Sequence, residues 1–358
     1  MDRKTTRSWA IARERRLRKP KVAVLATASA RGDAGGAERF YRGLRDALER
    51  QGANAEIVSV ASDESNFDAV KRSYLKFYEL NLGRFDGVIS SKAPAYVVRH
   101  PRHVCYLQHT MRVFYDMFER EYPDPSPELL EQRRLIHRLD TAALGRPGLK
   151  GRFAIGHQVR ERLLAANGLD AEVLYQASTL SGFRTGRFEY VFMPGRLHRW
   201  KRVDLVIAAM REVEAPVPLL ISGEGEDAAE FRQMAAGDPR IRFLGRVSDA
   251  ELLELYANAL AVAFVPVRED FGLVTLEAFA SRKPVITCTD SGEPALIVRD
   301  EVSGFVCAPR PGAIARRIDA LWRERALAQR LGEAGAASIA HVGWDATAAR
   351  LMQALDFG

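Results

Sequence analysis

Residues 259–277 read A-L-A-V-A-F-V-P-V-R-E-D-F-G-L-V-T-L-E. The apolar run Ala259 to Val267 lacks the alternation of a one-sided strand. It reads as a strand buried on both faces, which implies a parallel sheet covered by helices. A helix is expected from Leu273 to Ser281. Glu269 then falls at the carboxyl end of a parallel strand, where open α/β sheets bind their ligands. Gly272 lets the backbone come close to a ligand, and the amides after it point out of a helix N-terminus. Glu277 sits about one turn into that helix and faces the same crevice. Carboxylates accept from hydroxyls and amides hold an anion, so the pattern suits a polyhydroxylated, phosphate-bearing molecule. Each carboxylate alone has a plainer explanation, since the helix dipole favours Glu in a first turn and a Glu before a turn is commonly solvated.

Outward from this stretch, strands and helices alternate along the chain. In the N-terminal half, strands are expected at 21–26, 56–60, 87–90, 103–107 and 153–155, with helices at 37–51, 127–143 and 157–167. The segment 176–189 has Ser, Thr, Gly and charge without periodicity and reads as a linker. A second series follows, with strands at 190–193, 218–222, 241–244, 284–288 and 304–306 and helices at 202–212, 228–235 and 249–258. This alternation is the pattern of doubly wound α/β domains. Two such domains in tandem would put a cleft between two sets of strand C-termini.

Size agrees with that reading, because 358 residues are natural for two domains of roughly 170 residues each. With 47% hydrophobic and 28% charged residues, the composition is that of an ordinary globular protein. No apolar run is long enough for a transmembrane helix, and no apolar stretch suggests a signal peptide. Cys105, Cys288 and Cys307 are too scattered for a disulfide framework or a thiolate zinc site, which fits a reducing cytoplasm. The net charge of +7 is concentrated at one end. Residues 1–21 hold nine basic residues against Asp2 and Glu14, so the rest of the chain is neutral. Such an arm either meets an anionic membrane surface or is a solvated tail. No aromatic-interleaved basic groove supports nucleic acid.

Four further clusters carry candidate chemistry. Gly195 to Lys201 (G-R-L-H-R-W-K) follows the first strand of the second series, where Arg196 as a planar fork and Lys201 as a point charge can reach a pyrophosphate. The loop Gly32…Gly35-Gly36 opens the first helix. It has neither G-x-G-x-x-G spacing nor a Walker lysine, yet its amides can approach an anion. His109-Thr110-Met111-Arg112 follows a strand, and a His there can donate to a substrate hydroxyl or carbonyl. Ser222 to Glu226 (S-G-E-G-E), with Gly245-Arg246-Val247, can form a wall against which a base packs. No complementary ligand cluster supports a metal site near His103 and Cys105.

Taken in order, these residues resemble the retaining GT-B glycosyltransferases of family 4. The resemblance is carried by G-R-L…K (195–201), S-G-E-G (222–225), F-L-G-R-V-S (243–248), E-D-F-G-L-V-T-L-E-A (269–278), T-D-S-G (289–292) and G-F-V (304–306). It extends to the Gly-Gly-Ala-Glu of 35–38 and the His-Thr-Met-Arg of 109–112. The fold implied is two Rossmann-like doubly wound domains facing across a cleft. Residues 1–20 would be the basic arm and 21–177 the acceptor-side domain. Residues 186–340 would bind the nucleotide sugar, and a helix in 341–358 would pack back on the N-terminal domain.

The resemblance also implies roles. Glu269 would contact donor-sugar hydroxyls, with the Phe271, Gly272 and Leu273 amides nearby, and Glu277 would hold the donor ribose. Arg196 and Lys201 would neutralise the diphosphate, approached also by the Gly35-Gly36 amides, while Gly223, Arg246 and Val247 complete the donor side. His109, beside the reacting sugar, and Arg112 would lie on the acceptor side. His109, Arg196, Lys201 and Glu269 are the catalytic candidates. The implied activity is metal-independent transfer, with retention, of a hexose-type sugar from a UDP- or GDP-sugar to a hydroxyl of a saccharide or lipid-linked acceptor, without a cofactor. The arm suggests peripheral attachment at the inner face of the membrane. The alternatives are a sugar-nucleotide epimerase of the same fold and a non-catalytic nucleotide-sugar-binding protein. Two positions depart from the family pattern. Glu293 stands where a glycine is usual, and Arg282 replaces a frequent small residue.

Overall fold

The computed structural model describes residues 18–29 and 36–357. Most of the basic arm, together with Gly32 and Gly35 of the glycine loop, lies outside the described residues. The chain forms two compact units, one comprising the residues up to Gln176 with those from Gly343 onward, the other Ala177–Val342.

Unit 1 holds a parallel sheet of β1 (Lys21–Ser29), β2 (Asn54–Ser62), β3 (Gly87–Lys92), β4 (His103–His109), β5 (Leu149–Ala154) and β6 (Glu172–Val173). Their order is β2-β1-β3-β4-β5-β6. Val22 to Leu25 are completely buried, because helices cover both faces and neither side of the strand meets water. The helix Pro127–Leu144 starts where Ser126 Oγ accepts from the Leu129 N–H at 3.2 Å and Pro127 presets the first turn. The last helix, Trp344–Ala354, belongs to this unit. Its Trp344 packs edge-on to Phe40 of the helix Gly36–Arg50, with ring centroids 5.5 Å apart. Arg350 forks onto Glu172 at 2.7 and 2.9 Å, and Thr347 Oγ1 donates to the Tyr175 carbonyl.

Unit 2 holds a second parallel sheet of β7 (Tyr190–Pro194), β8 (Leu219–Ser222), β9 (Ile241–Gly245), β10 (Ala259–Ala263), β11 (Val285–Cys288) and β12 (Gly304–Cys307), in the order β12-β11-β10-β7-β8-β9. Alternate residues feed two cores on its two faces. Val191, Met193, Ile221, Ile286 and Cys288 enter one, and Phe192, Val262 and Val285 the other. Every residue of β10 is buried, as a two-sided apolar strand requires. The strand is nonetheless shorter than its apolar run, for it ends at Ala263 and not Val267. Pro266 has no N–H to give a ladder, and the carbonyls of Val265 and Pro266 accept from the Arg202 guanidinium instead. The helix Asp249–Asn258 opens with a reciprocal box, in which Ser248 caps the Glu251 N–H and Glu251 returns to the Ser248 N–H. No helix among the described residues is long and apolar enough to cross a membrane.

Candidate active site

The order of the unit 2 sheet reverses between β7 and β10. The chain winds outward through β8 and β9, returns to β10, and winds the other way. Loops leaving the carboxyl ends of β7 and β10 therefore diverge and open a crevice. Lys201 comes from the β7 loop and Glu269 from the β10 loop, and they meet in that crevice with Lys201 Nζ 2.6 Å from Glu269 Oε2. Both are partly buried, and the ammonium also lies 5.5 Å from the centre of the Phe264 ring. A charge-assisted pair held this way is ready to exchange partners with a ligand that brings its own phosphate and hydroxyls.

Glu269 is fixed through its backbone. Its N–H donates to the Ser291 carbonyl at 2.8 Å, and its carbonyl accepts from the Glu293 N–H at 3.0 Å. This strand-like approach requires Gly292, where a Cβ would come within 2.5 Å of the Glu269 carbonyl oxygen. Glu293 is fully buried at the start of the short helix Glu293–Ile297 that follows. Gly272 takes φ +77° immediately before the helix Leu273–Ala280, and a Cβ there would lie 2.5 Å from Phe264 Cε1. Phe271 is buried and Leu273 half-buried beside it. Glu277 lies one turn further on, 7% exposed, with Ser178 Oγ donating to one oxygen at 2.9 Å and Tyr256 OH to the other at 2.8 Å.

The β7 and β8 loops interlock. Gly223, at φ +119°, lies so close to Gly195 that a Cβ would meet its carbonyl oxygen at 2.0 Å, and the Leu197 N–H donates to the Glu224 carbonyl at 2.9 Å. Arg196 is exposed, with Nε 3.1 Å from Glu226 Oε2. His198 Nδ1 accepts from the Trp200 N–H, so its proton sits on Nε2, 3.4 Å from Glu226 Oε1. Burial lowers the His198 pKa, against the pull of Glu226 and Asp227. Arg246 is exposed opposite Glu224 at 3.6 Å, and Val247 is half-buried.

The remaining candidates belong to unit 1. Gly36 begins the helix Gly36–Arg50, while Gly35 lies outside the described residues. His109 ends β4 and donates from Nδ1 to the Thr110 carbonyl at 2.8 Å, which leaves Nε2 as the acceptor nitrogen of the neutral ring. Arg112 is only 13% exposed at its side chain and is paired with Asp116 at 3.1 Å, which Arg162 also holds at 2.9 Å. Lys92 pairs in register with His109 across the sheet, and burial lowers its pKa while Glu64 opposes the shift. Lys92, Arg202, Ser178 and Tyr256 are absent from the motif reading, and Asp290 enters it only within T-D-S-G, without a role. Arg202 sits beside a named lysine, which was the one available signal; the others come together only through the fold.

Residues 182–338 match the model of the family glycosyl transferases group 1. The chain is 30% identical over 157 residues to the human alpha-1,3/1,6-mannosyltransferase ALG2, covering 42% of this chain and 35% of that protein. It is 31% identical over 195 residues to the phosphatidyl-myo-inositol mannosyltransferase of Mycobacterium leprae, covering 52% and 51%. The chain thus spans about half, or less, of the length of these curated relatives. Over 94% of its length it superposes on a sucrose-phosphate synthase from Thermosynechococcus elongatus, with a TM-score of 0.73, 18% identity and 98% of that chain covered. Anabaena HepE, solved in complex with UDP-glucose, superposes with a TM-score of 0.71 at 18% identity, covering 94% and 99% of the two chains. The C-terminal unit therefore belongs to the glycosyl transferases group 1 family, and the chain shares the two-domain, Rossmann-like GT-B fold of its structural neighbours.

Proposed function

We propose that this protein transfers a hexose-type sugar from a nucleoside-diphosphate sugar to an acceptor hydroxyl, with retention at the anomeric carbon. The observation that carries the reading is the Lys201–Glu269 pair at the switch point of a group 1 domain. Lys201 supplies positive charge for the departing diphosphate, and Arg196 reaches the same loop face. Glu269 accepts from sugar hydroxyls once Lys201 turns to phosphate, and we assign the amides after Gly272 to the same donor. In the transfer, the bond from the anomeric carbon to the diphosphate oxygen breaks. A bond to the acceptor oxygen forms on the same face, and the acceptor proton passes to the diphosphate. Charge grows on the leaving group, so preorganised cations and amides there favour the transition state. Glu269 and Glu277 act as sugar and ribose clamps, with Ser178 and Tyr256 holding Glu277 in place. We assign His109 and Arg112 to the acceptor side, and Gly35 and Gly36 to diphosphate binding. A lipid-linked acceptor at the membrane surface is supported by the basic arm and by the name of the mycobacterial relative.

A thermal-shift panel of UDP, GDP and their hexose conjugates tests the donor, because a ligand of the native state raises the melting temperature with its occupancy. At least one should shift the wild type, and no shift with any of them would overturn the reading. Lys201→Ala and Glu269→Ala should each lower kcat/KM by about 10²–10³-fold, as loss of a transition-state charge partner does. Activity should persist in EDTA. Product analysis separates transfer from epimerisation, which would release an isomerised sugar nucleotide with no acceptor present. Sedimentation with anionic liposomes, comparing the full chain with one starting at Pro20, tests the arm, and equal binding would remove its membrane role.

A further inference from the structure

We propose that Arg202 is a positioning residue that locks the Lys201–Glu269 pair in register, an inference that rests on the reading of that pair as donor-binding. Arg202 follows Lys201 and precedes the helix Val203–Met210 with φ +53°. This left-handed conformation suits glycine and is disfavoured for a side chain with a Cβ. An arginine kept there needs compensation from what its side chain does.

Arg202 is 91% buried, and its guanidinium bonds to two loops. Nε donates to the Val265 carbonyl at 2.6 Å and Nη2 to the Pro266 carbonyl at 2.8 Å. Nη1 and Nη2 fork onto the Asp290 carboxylate at 2.9 and 2.7 Å. The two carbonyls lie in the stretch where β10 has stopped and the ladder no longer serves them. Asp290 and Ser291 form the loop after β11, and Ser291 receives the Glu269 N–H. Backbone bonds close the same knot, with Val267 N–H to the Trp200 carbonyl at 2.8 Å and Arg268 N–H to the Asp290 carbonyl at 2.9 Å. One planar fork therefore ties together the loops after β7, β10 and β11, the first two of which carry the pair. Lysine cannot replace it, since a single ammonium offers no rigid set of parallel donors.

Unit 2 contains its own control. Arg240, at the amino-terminal edge of the same sheet, also forks onto a carboxylate, Asp238, and donates to the carbonyls of Val213 and Ala215 at 2.9 and 3.1 Å. It makes a clamp of the same chemistry at the end of the strands that does not carry Lys201 and Glu269.

The test uses the full chain with Arg202→Gly, Arg202→Lys and Arg240→Lys. Amide hydrogen exchange of the unliganded proteins reads the loops directly. In both Arg202 variants, exchange over residues 264–272 should rise about tenfold or more, because the loops that the guanidinium held are released. Arg240→Lys should lower the melting temperature without changing exchange there. The Kd for whichever nucleoside diphosphate stabilises the wild type should weaken by about 10–100-fold in the Arg202 variants, the scale expected of a misplaced site, and stay unchanged in Arg240→Lys. Unchanged exchange in the Arg202 variants, or equal loss of affinity in Arg240→Lys, overturns the clamp. If the wild type binds no nucleoside diphosphate, the donor reading fails, while the exchange comparison still decides whether Arg202 holds the loops.

Discussion

Asp140 shows what burial does to a single residue in this protein. It is fully buried in unit 1, and Tyr74 and Tyr115 each donate to one of its oxygens at 2.7 Å. Removal from water dominates over those bonds and pushes its pKa up to about 6. The folded state then holds the proton more tightly than the unfolded chain, where the value is near 3.8. Between those values the unfolded state binds fewer protons, so this group's contribution to stability falls as pH rises, and it levels off above the folded pKa. Asp140→Asn keeps an acceptor for the tyrosines and cannot ionise. The melting temperature of the wild type relative to Asp140→Asn should therefore decline from about pH 4 to about pH 6 and then stay constant. A difference that rises over that window would show that the tyrosine bonds, and not desolvation, set the proton affinity. At the candidate site, motif spacing identified Lys201 and Glu269 individually, and the structure brings them to 2.6 Å. The partners of Glu277 had no local signal, because Ser178 is 99 positions away and Tyr256, 21 positions away, belongs to another helix. Arg202 was hidden differently. Its charge is plain in the sequence, whereas its left-handed backbone and the two loops it reaches are properties of the fold.

At the scale of elements, the turn from Glu269 into the helix Leu273–Ala280 depends on Gly272. Gly272→Ala meets two penalties, a positive φ of +77° and a Cβ 2.5 Å from the buried Phe264 ring. A loss of about 1–3 kcal/mol is expected from such strain. Because the helix start carries the amides assigned to the donor, nucleotide affinity should fall together with the melting temperature. A variant as stable as wild type would mean that Phe264 yields easily. The elements themselves were largely legible, since doubly buried strands leave continuous apolar runs and capped helices leave Ser or Pro at their starts. The helices Asp249–Asn258 and His157–Asn167 begin and end where the pattern places them. The β10 run misled in length, because apolarity continues past Ala263 while hydrogen bonding does not. A sequence pattern reports burial of side chains, and the carbonyls of Val265 and Pro266 are taken by an arginine more than 60 positions earlier.

For the whole molecule, the two units are built differently. Unit 2 is one continuous stretch, whereas unit 1 is completed by the residues from Gly343 onward. The returning helix buries Trp344, Ala348, Leu351 and Met352, and Leu355 follows it into the core beside Gly87. Burying side chains of the Leu, Met and Trp class contributes roughly 1.5–3 kcal/mol each, so four of them approach the 5–15 kcal/mol that a whole domain typically holds. A chain ending at Val342 should therefore lose the fold of unit 1 while unit 2 keeps its complete sheet. Limited proteolysis should cut the truncated chain within residues 21–176 and leave a resistant fragment close to 177–342. In the thermal-shift panel, the ligand that stabilises the full chain should raise only the transition of that fragment. Resistance of the N-terminal half to the protease would show instead that the closing helix is dispensable, and that the sheet β2-β1-β3-β4-β5-β6 stands without it.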